Sequence, residues 1–214
     1  MAKRKTRTIL KDWSGLGYNN RAVRLHETSK LISKYGWKKY DEDLSCLPGV
    51  GEYTKNAIEA FAYGKKVIAV DVNIKRVLTR YHGPSVNKKW IENNLDNLLG
   101  SSKARDWNQA VMDFSSSICR SNNPNCNLCP VEKKCSKYIV KNKKSYQNPF
   151  KGSSREKRGE ILKKLLDAKK LKFTDVEKIT KGTEKEMLSL LYKMQKDNLV
   201  NINEEEKIVI LTRR

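Results

Sequence analysis

Four of the five cysteines lie close together in the sequence, which gives this stretch the chemistry of a metal site. They are Cys119, Cys126, Cys129 and Cys135, separated by six, two and five residues. In a reducing compartment, four thiols in one short polar loop are expected to bind a metal. Structural zinc usually takes two separated pairs of cysteines, whereas a compact run of four thiolates suits an iron–sulfur cluster. The spacing therefore favours a cluster and leaves zinc open.

A lone carboxylate, that of Asp71, stands between a short apolar run and a predicted helix. The run, residues 67–70, is too short for a buried helix and leads directly into Asp71. Aspartate in this position can accept hydrogen bonds from the first amides of the helix that follows, 72–81. The sequence thus predicts an N-cap, and a carboxylate fixed at a helix start can also serve catalysis.

The third feature is a turn with two glycines, LPGVG at residues 47–51. Glycine lets the backbone amides approach another surface, because no Cβ lies in the way. With helices expected at 41–46 and 52–63, the stretch is typical of a helix–hairpin–helix that binds a nucleic-acid phosphate without reading sequence. An ordinary glycine-rich connection is the alternative. Cys46, just before the turn, is expected to be a small buried hydrophobe.

The overall charge favours a polyanionic partner. The 214 residues include 45 Lys and Arg against 24 Asp and Glu, a net charge of +21. Such an excess attracts nucleic acid, and no apolar stretch approaches the length of a membrane span. The N-terminus is charged and lacks a following apolar segment, so no signal peptide is expected and a cytoplasmic compartment is predicted. A merely basic surface is the alternative.

The rest of the pattern must position these groups, and it is mainly helical. Residues 1–12 are basic and unpatterned. Apolar periodicity predicts helices at 19–34, 88–99 and 104–118, and the last of these ends just before Cys119. Residues 141–154 are polar and basic and contain Pro149, which is typical of a linker.

The C-terminal part has a different pattern. Helices are predicted over 155–168, from residue 174, and from the capping box that begins at Thr183; strands follow at 199–202 and 207–211 around an acidic turn. Three helices and a hairpin favour a winged helix. The predicted domains are 1–140, the basic linker 141–154 and a winged-helix-like domain, 155–214. The predicted fold class is mainly α, with this smaller α+β domain at the C-terminus.

Several motifs in one order resemble a known family. The segments are SGLGYNNRA (14–22), LPGVGEYTKNAIEAFAYGK (47–65), VDVNIKRV (70–77) and NQAVMDFSSSIC (108–119), followed by the remaining cysteines. They resemble the helix–hairpin–helix DNA glycosylases of the endonuclease III superfamily, and most of all the A/G-mismatch adenine glycosylases of the MutY type. The resemblance extends from Trp13 to Cys135 and is specific, because the motifs recur together.

The resemblance implies a [4Fe–4S] cluster on the four cysteines and a hairpin that binds the backbone beside the lesion. It also implies that Asp71 lies at the mouth of a pocket for the flipped base, where a carboxylate can stabilise the positive charge that develops on the sugar. Members with lyase activity carry a lysine two residues after the last hairpin glycine, and this chain has Tyr53 there, which implies a monofunctional enzyme with Tyr53 at the catalytic pocket. The expected DNA-binding residues are Gly49, Val50, Gly51, Thr54, Arg120, Lys133 and Lys134.

Two departures from the family pattern bear on activity. In adenine glycosylases, helices ahead of the GLGY segment carry a glutamate that protonates the leaving adenine, and this chain is expected to lack that region. Losing general-acid help typically costs about 10²–10⁴-fold in rate. The family also commonly ends in a domain that recognises the oxidised guanine opposite, whereas 155–214 has the pattern of a winged helix.

The sequence therefore predicts a monofunctional, mismatch-specific DNA N-glycosylase of base excision repair that removes adenine opposite guanine or 8-oxoguanine. One alternative is a G·T mismatch thymine glycosylase, which shares the cluster and the tyrosine. The other is a non-catalytic DNA-binding remnant. The expected partner is double-stranded DNA containing a mismatch, with no membrane. The protein is expected to be a monomer in the cytoplasm of a prokaryotic or archaeal cell, associated with the nucleoid.

Overall fold

The computed structural model describes residues 1–140 and 149–212. The chain divides into two compact units, one that combines Met1–Gly49 with Ser145–Arg214 and one formed by Val50–Lys144. Of the predicted linker 141–154, residues 141–148 lie outside the described residues. In the described ranges, none of the helices has the length and apolar character that crossing a bilayer requires.

The first unit begins with two helices, α1 (Thr6–Asp12) and α2 (Asn20–Tyr35). Helix α2 agrees with the prediction of 19–34, whereas α1 lies in a stretch that shows no pattern in the sequence. Ile9 and Leu10 are buried on α1, and two adjacent apolar residues are too few to produce a periodic signal. The first unit therefore has one helix more than the periodicity predicts.

The predicted helix over 41–46 is wrong. The stretch 37–46 contains two short 3₁₀ helices, Trp37–Tyr40 and Leu44–Cys46, and the second of them lies within the predicted range. The carboxylate of Asp43 accepts hydrogen bonds from the backbone N–H and the hydroxyl of Ser45, at 3.0 and 2.7 Å. Such local bonds compete with the α-helix. Cys46 is exposed, so the expectation that it is buried is also wrong.

The second unit is a helical bundle that contains Asp71 and the cysteines. Its helices are α3 (Glu52–Phe61), α4 (Val72–His82), α5 (Lys88–Asn93), α6 (Leu95–Leu99) and α7 (Ala104–Ser117). The core is built from the apolar stripes of these helices together with the apolar run before Asp71. Helices α3, α4 and α7 agree with the predicted positions to within two residues.

The single helix predicted over 88–99 is broken at Asn94 into α5 and α6. The side-chain amide of Asn94 donates to the carbonyl of Trp90 at 2.8 Å. A side chain that competes for a carbonyl of the preceding turn weakens the helix at this point. The break leaves Ile91 and Leu99 both buried in the core of the second unit.

The C-terminal part of the first unit has the order helix, strand, two helices and two strands. The elements are α8 (Ser154–Asp167), β1 (Lys170–Lys172), α9 (Phe173–Thr180), α10 (Glu184–Lys196), β2 (Val200–Asn203) and β3 (Ile208–Leu211). The antiparallel sheet has the order β1-β3-β2, with Leu171 opposite Val209 and Ile202 also opposite Val209. Three helices and the β2–β3 hairpin match the sequence prediction; strand β1 was not predicted.

Helices α1 and α2 share one hydrophobic core with these C-terminal elements. Ile9, Leu10, Ala22 and Val23 belong to the same cluster of buried side chains as the residues of α8, α9, α10 and the sheet. The predicted domains place α1 and α2 in 1–140 and the C-terminal elements in 155–214. The contacts divide the chain differently, and those domain boundaries stay a prediction.

Candidate active site and cysteine loop

The segment that leads into Asp71 is held by two side-chain amides, of which Asn108 is buried and Asn56 half-buried. The side chain of Asn108, which is fully buried on α7, accepts from the N–H of Ala69 at 2.8 Å and donates to the carbonyl of Val67 at 3.1 Å. Asn56 on α3 donates to the carbonyl of Ile68 at 3.1 Å. An extended buried segment has polar backbone groups that need partners. These two side chains supply them and fix the entry into α4.

Asp71 is the N-cap of α4, as predicted. Its Oδ1 accepts from the N–H groups of Asn73 and Ile74 at 2.9 and 2.7 Å, and its Oδ2 accepts from the side-chain amide of Asn73 at 2.8 Å. The residue is half-buried rather than sealed in the interior. An ionised carboxylate has roughly four acceptor positions, and the described bonds occupy three of them. One position on Oδ2 therefore stays open to a ligand.

A chain of hydrogen bonds runs from Asp71 along α4 to the first cysteine. The guanidinium of Arg76 donates to Oδ1 of Asn73 at 2.7 Å, to the carbonyl of Ser115 at 3.0 Å and to the carbonyl of Cys119 at 3.1 Å. Burial lowers the pKa of Arg76 from its ordinary value, and the nearby Arg80 lowers it further, while Cys119 and Asp71 oppose the change. Arginine stays charged regardless. The carboxylate and the end of α7 are thus positioned by one buried cation.

The C-terminal half of α4 is tied to both ends of the cysteine loop. Arg80 donates to the carbonyls of Arg120 and Ser121 at 2.5 and 2.8 Å, just after Cys119. At the other end, the N–H of Tyr138 donates to the carbonyl of Arg80 at 3.1 Å, and the hydroxyl of Ser136 donates to the same carbonyl at 2.9 Å. Helix α4 therefore carries Asp71 at its first turn and anchors the cysteine loop at its last.

The four cysteines line one cavity of about 1230 Å³ in the second unit, together with apolar side chains of α4 and α7. All four are free and partly exposed. Two donors point at their sulfurs: the N–H of Lys137 lies 3.4 Å from Sγ of Cys135, and Nη1 of Arg80 lies 3.6 Å from Sγ of Cys119. Across residues 1–140 and 149–212, however, no three or more His, Cys, Asp or Glu side chains stand close enough to hold a metal ion.

The donor set nevertheless suits a thiolate-bound metal centre. Four thiols around one cavity provide the soft ligands that iron–sulfur clusters and zinc prefer, and hydrogen bonds to the sulfurs are a typical feature of such centres. The surrounding guanidinium and ammonium groups would offset the negative charge of the thiolates. The chemistry of the four thiols therefore fits the group that the sequence implies, whereas their separation in this structure does not yet form its ligand set.

The two hairpin glycines, Gly49 and Gly51, differ in whether the structure has room for a Cβ atom. Gly49 has φ +83°, and a Cβ there would lie 3.1 Å from Cβ of Arg24 on α2. Gly51 has φ −85° and open space around it. Gly51 is also the N-cap of α3, so no side chain occupies the first amides of that helix. Amides in this position are typical of anion sites, and the binding of an anion here stays a prediction. Val50 is half-buried beside them.

The other predicted site residues lie on accessible surface. Tyr53, in the first turn of α3, is 43% exposed, and the adjacent Thr54 is half-buried. Three cations of the cysteine loop are exposed: Arg120, Lys133 and Lys134. Arg120 donates to the carbonyl of Asn123 at 3.1 Å, which holds its side chain within the loop. The structure thus assigns no interior role to these side chains.

Sequence reasoning missed the residues that support Asp71. Asn73 and Arg76 lie within the segment 70–77 but carry no periodic signal of their own. Asn108 and Arg76 are polar residues on otherwise apolar helix faces, and that contrast is the one signal that could have identified them. Their partners are distant in sequence, so only the folded chain identifies what they bind.

Comparison with known proteins gives a consistent result. Residues 1–100 match the family model described as HhH-GPD superfamily base excision DNA repair protein. Over 148 residues the chain is 36% identical to an adenine DNA glycosylase of Buchnera aphidicola subsp. Baizongia pistaciae, which covers 65% of this chain and 41% of that relative. Over 139 residues it is 38% identical to a thymine/uracil-DNA glycosylase of Methanothermobacter thermautotrophicus, covering 61% of this chain and 63% of that relative. The chain thus spans less than two thirds of either relative.

Solved structures agree with the fold. A thermostable thymine-DNA glycosylase superposes with a TM-score of 0.55 at 36% identity, covering 63% of this chain and 66% of that one. Endonuclease III in a trapped covalent DNA complex superposes with a TM-score of 0.52 at 24% identity, covering 62% and 65%. The second similarity supports the fold alone. The predicted mainly helical fold is confirmed.

Proposed function

We propose that this chain, whose residues 1–100 belong to the HhH-GPD superfamily of base excision DNA repair proteins, is a monofunctional DNA N-glycosylase that removes a mismatched base from duplex DNA. The observation that carries the proposal is the placement of Asp71. Its carboxylate caps α4, is half-buried, and keeps one acceptor position open. Among the features that support the proposal, this carboxylate is the one that relates most directly to cleavage of an N-glycosidic bond.

Hydrolysis of an N-glycosidic bond passes through a sugar that carries positive charge. A carboxylate that is already oriented stabilises this charge without reorganising at the moment of reaction. Asp71 meets that requirement, because Asn73 and Ile74 hold its oxygens and Arg76 holds Asn73. The base leaves with the electron pair of the C–N bond, water adds to the anomeric carbon of the sugar, and the proton that this water releases neutralises the departed base. We assign Tyr53 to the mouth of the base pocket, where a lyase would need an amine.

In this proposal the helix–hairpin–helix binds the phosphate backbone of one DNA strand. The first amides of α3 follow Gly51, and a phosphate at a helix N-terminus is favoured by both the free donors and the helix dipole. Contacts of this kind fix register and carry no sequence information. We assign Gly49, Val50, Gly51 and Thr54 to this contact, and the exposed cations Arg120, Lys133 and Lys134 of the cysteine loop to flanking phosphates.

Two substrates remain as candidates. Adenine opposite guanine or 8-oxoguanine is our first candidate, supported by the sequence motifs and by similarity to the Buchnera adenine DNA glycosylase. Thymine or uracil is the second, supported by similarity to the Methanothermobacter thymine/uracil-DNA glycosylase and to the thermostable thymine-DNA glycosylase. The segments that favour adenine are scaffold segments, so the substrate must be decided by assay.

Single-turnover cleavage tests the proposal. Duplexes containing A·G, A·8-oxoG, T·G, U·G or no mismatch are incubated with excess protein, and abasic sites are cleaved with alkali. We expect product from one class of mismatch and none from the matched duplex. Asp71→Asn should retain DNA binding and lose product by at least about 10²-fold, as typical for a group that stabilises transition-state charge. Binding without abasic product from any duplex would identify a DNA-binding protein without glycosylase activity.

We further propose that Cys119, Cys126, Cys129 and Cys135 hold a [4Fe–4S] cluster. Support comes from the four thiols around one cavity and the two donors near their sulfurs. When bound, the cluster would supply structure: it would fix the loop that presents Arg120, Lys133 and Lys134. Equal amounts of iron and acid-labile sulfide in the purified protein would support the cluster, and zinc in their place would refute it.

The C-terminal elements support a winged-helix interpretation of residues 155–214. Three helices and a three-stranded antiparallel sheet in the order α8-β1-α9-α10-β2-β3 are consistent with that fold. The monomeric state and the location on the nucleoid in the cytoplasm stay predictions of the sequence.

A further inference from the structure

Helix α10 presents one basic face to solvent. Five exposed residues recur at helical spacing along it: Lys185, Ser189, Tyr192, Lys193 and Lys196. At about 100° per residue they share a single face of three turns. That face carries three positive charges and two hydroxyl groups, and its own positions include no acidic residue.

The helix is a rigid platform for this face. Its opposite side places Met187, Leu190, Leu191 and Met194 in the hydrophobic core, each buried. A capping box fixes its start, because the N–H of Thr183 donates to Glu186 at 2.9 Å. Side chains on such a helix are presented in a fixed pattern, as recognition of a regular surface requires.

Two shallow depressions flank the basic face. In one, of about 680 Å³, the charged lining is Lys185, Lys193 and Lys196 with Glu184 at its edge. In the other, of about 400 Å³, it is Lys157 of α8, Lys185 and Lys193 with Glu186, so lysines outnumber glutamates in both. In the described part of the chain, no ion pair engages the three lysines of the face. Their charges are therefore available to an external anion.

We propose that this face of α10 is a second DNA-binding surface, which contacts the phosphates of duplex DNA without reading its sequence. Lysine acts toward phosphate as a flexible point charge, whereas base recognition relies mainly on the bidentate groups of Arg, Asn and Gln. The face contains none of those three residue types. Ser189 adds a hydroxyl group of the kind that also bonds phosphate.

The neighbouring β2–β3 turn limits this surface on one side. It contains Glu204, Glu205 and Glu206 followed by Lys207, all exposed. The hydroxyl of Tyr192 donates to Glu204 at 2.6 Å, so the acidic turn lies at the edge of the basic face. Like charges repel, and the phosphates must therefore approach α10 from the side away from this turn.

The inference goes beyond the proposed glycosylase activity and does not require it. A sequence-independent contact far from Asp71 in the chain would hold the protein on undamaged DNA. Binding to matched duplex and excision of a mismatched base are separate measurements, so either can fail alone.

The test neutralises the face in the full chain, with Lys185→Gln, Lys193→Gln and Lys196→Gln combined. Binding to an undamaged duplex is measured across a salt series. Because each phosphate contact contributes about −0.9 to the slope of log affinity against log salt, we expect the slope to fall by about 2 to 3 and the affinity to drop at least about ten-fold near 0.1 M salt. The matched control neutralises three exposed lysines elsewhere in the same unit, Lys163, Lys169 and Lys178, and should change both values less.

A second variant guards against a general loss of structure. Glu205→Gln with Glu206→Gln removes the repulsion, so it should tighten binding, an effect that misfolding cannot produce. Equal losses in the α10 variant and the lysine control would overturn the proposal. So would an unchanged salt slope, weaker binding by the glutamate variant, or an α10 variant that loses binding to anionic lipid vesicles but not to DNA. Far-UV circular dichroism and thermal melting establish that the variants are folded.

Discussion

Arg76 is the residue whose replacement tests the positioning of Asp71 most directly. Its guanidinium is buried and donates to three acceptors: Oδ1 of Asn73, the carbonyl of Ser115 and the carbonyl of Cys119. Arg76→Met keeps a long side chain and removes every donor. Hydrogen bonds to a charged group are worth about 1.5–3 kcal/mol each, and their losses are not additive. We expect the free energy of unfolding to fall by about 3–5 kcal/mol.

The same change should affect chemistry separately from stability. Without Arg76, Asn73 loses the partner that fixes its side chain, and Oδ2 of Asp71 loses a fixed donor in turn. A displacement of about 1 Å at a reacting group can cost about 10²-fold in rate. Single-turnover excision should therefore slow by this order at a temperature where the variant is folded, while affinity for undamaged duplex stays close to that of the parent.

The control is Lys75→Met, which removes a neighbouring cation on the exposed side of the same helix. It should change the free energy of urea unfolding by less than about 0.5 kcal/mol, as surface substitutions usually do. If Arg76→Met and Lys75→Met gave the same unfolding curve and the same excision rate, the hydrogen-bond chain would not position Asp71. A loss of stability with excision unchanged would confine Arg76 to a structural role.

Two further predictions concern backbone and pH. Gly49→Ala should destabilise the fold by about 1–2 kcal/mol, because its φ of +83° disfavours a Cβ that would also crowd Arg24, whereas Gly51→Ala should melt like the parent and bind duplex DNA more weakly. Equal melting temperatures for the two variants would contradict this. The N–H and hydroxyl of Thr183 lower the pKa of Glu186 below its ordinary value of 4.5, so its stabilising effect is present above that pH and is lost as pH falls through the lowered pKa. Thermal melting between pH 6 and pH 3 should show less acid sensitivity in Glu186→Gln than in the parent.

Much of the candidate site follows from local sequence. The cap at Asp71, the helix after it and the capping box at Thr183 are local arrangements, in which the partners lie within three residues of each other. Local rules predict such features well, and the structure confirms all three. Helix α7 was predictable from its periodicity, because Trp107, Val111 and Phe114 recur at helical spacing.

The supporting network was not predictable, because its bonds span the chain. Asn108 binds Ala69 across 39 residues, and Arg76 binds Cys119 across 43. Strand β1 was missed because three residues between two helices give no alternation, and its identity depends on pairing with β3. The break at Asn94 depends on its side-chain amide, which donates to the carbonyl of Trp90 instead of to water. For the network and for β1 the deciding contact is absent from any short window; the Asn94 bond is local, but the sequence does not show which partner this side chain takes.

The shared core of α1, α2 and the C-terminal helices has a consequence for synthesis. Helices α1 and α2 contact each other, but the rest of the core that Ile9, Leu10, Ala22 and Val23 join begins at Ile161, about 140 positions after Val23. At about 5–20 residues per second, the ribosome needs roughly 7–30 s to reach that part of the core. The bundle of residues 50–140 emerges complete during that delay and can fold first. Helices α1 and α2 therefore cannot complete their hydrophobic core until the C-terminal residues are synthesised, so the first unit folds only when translation is nearly finished.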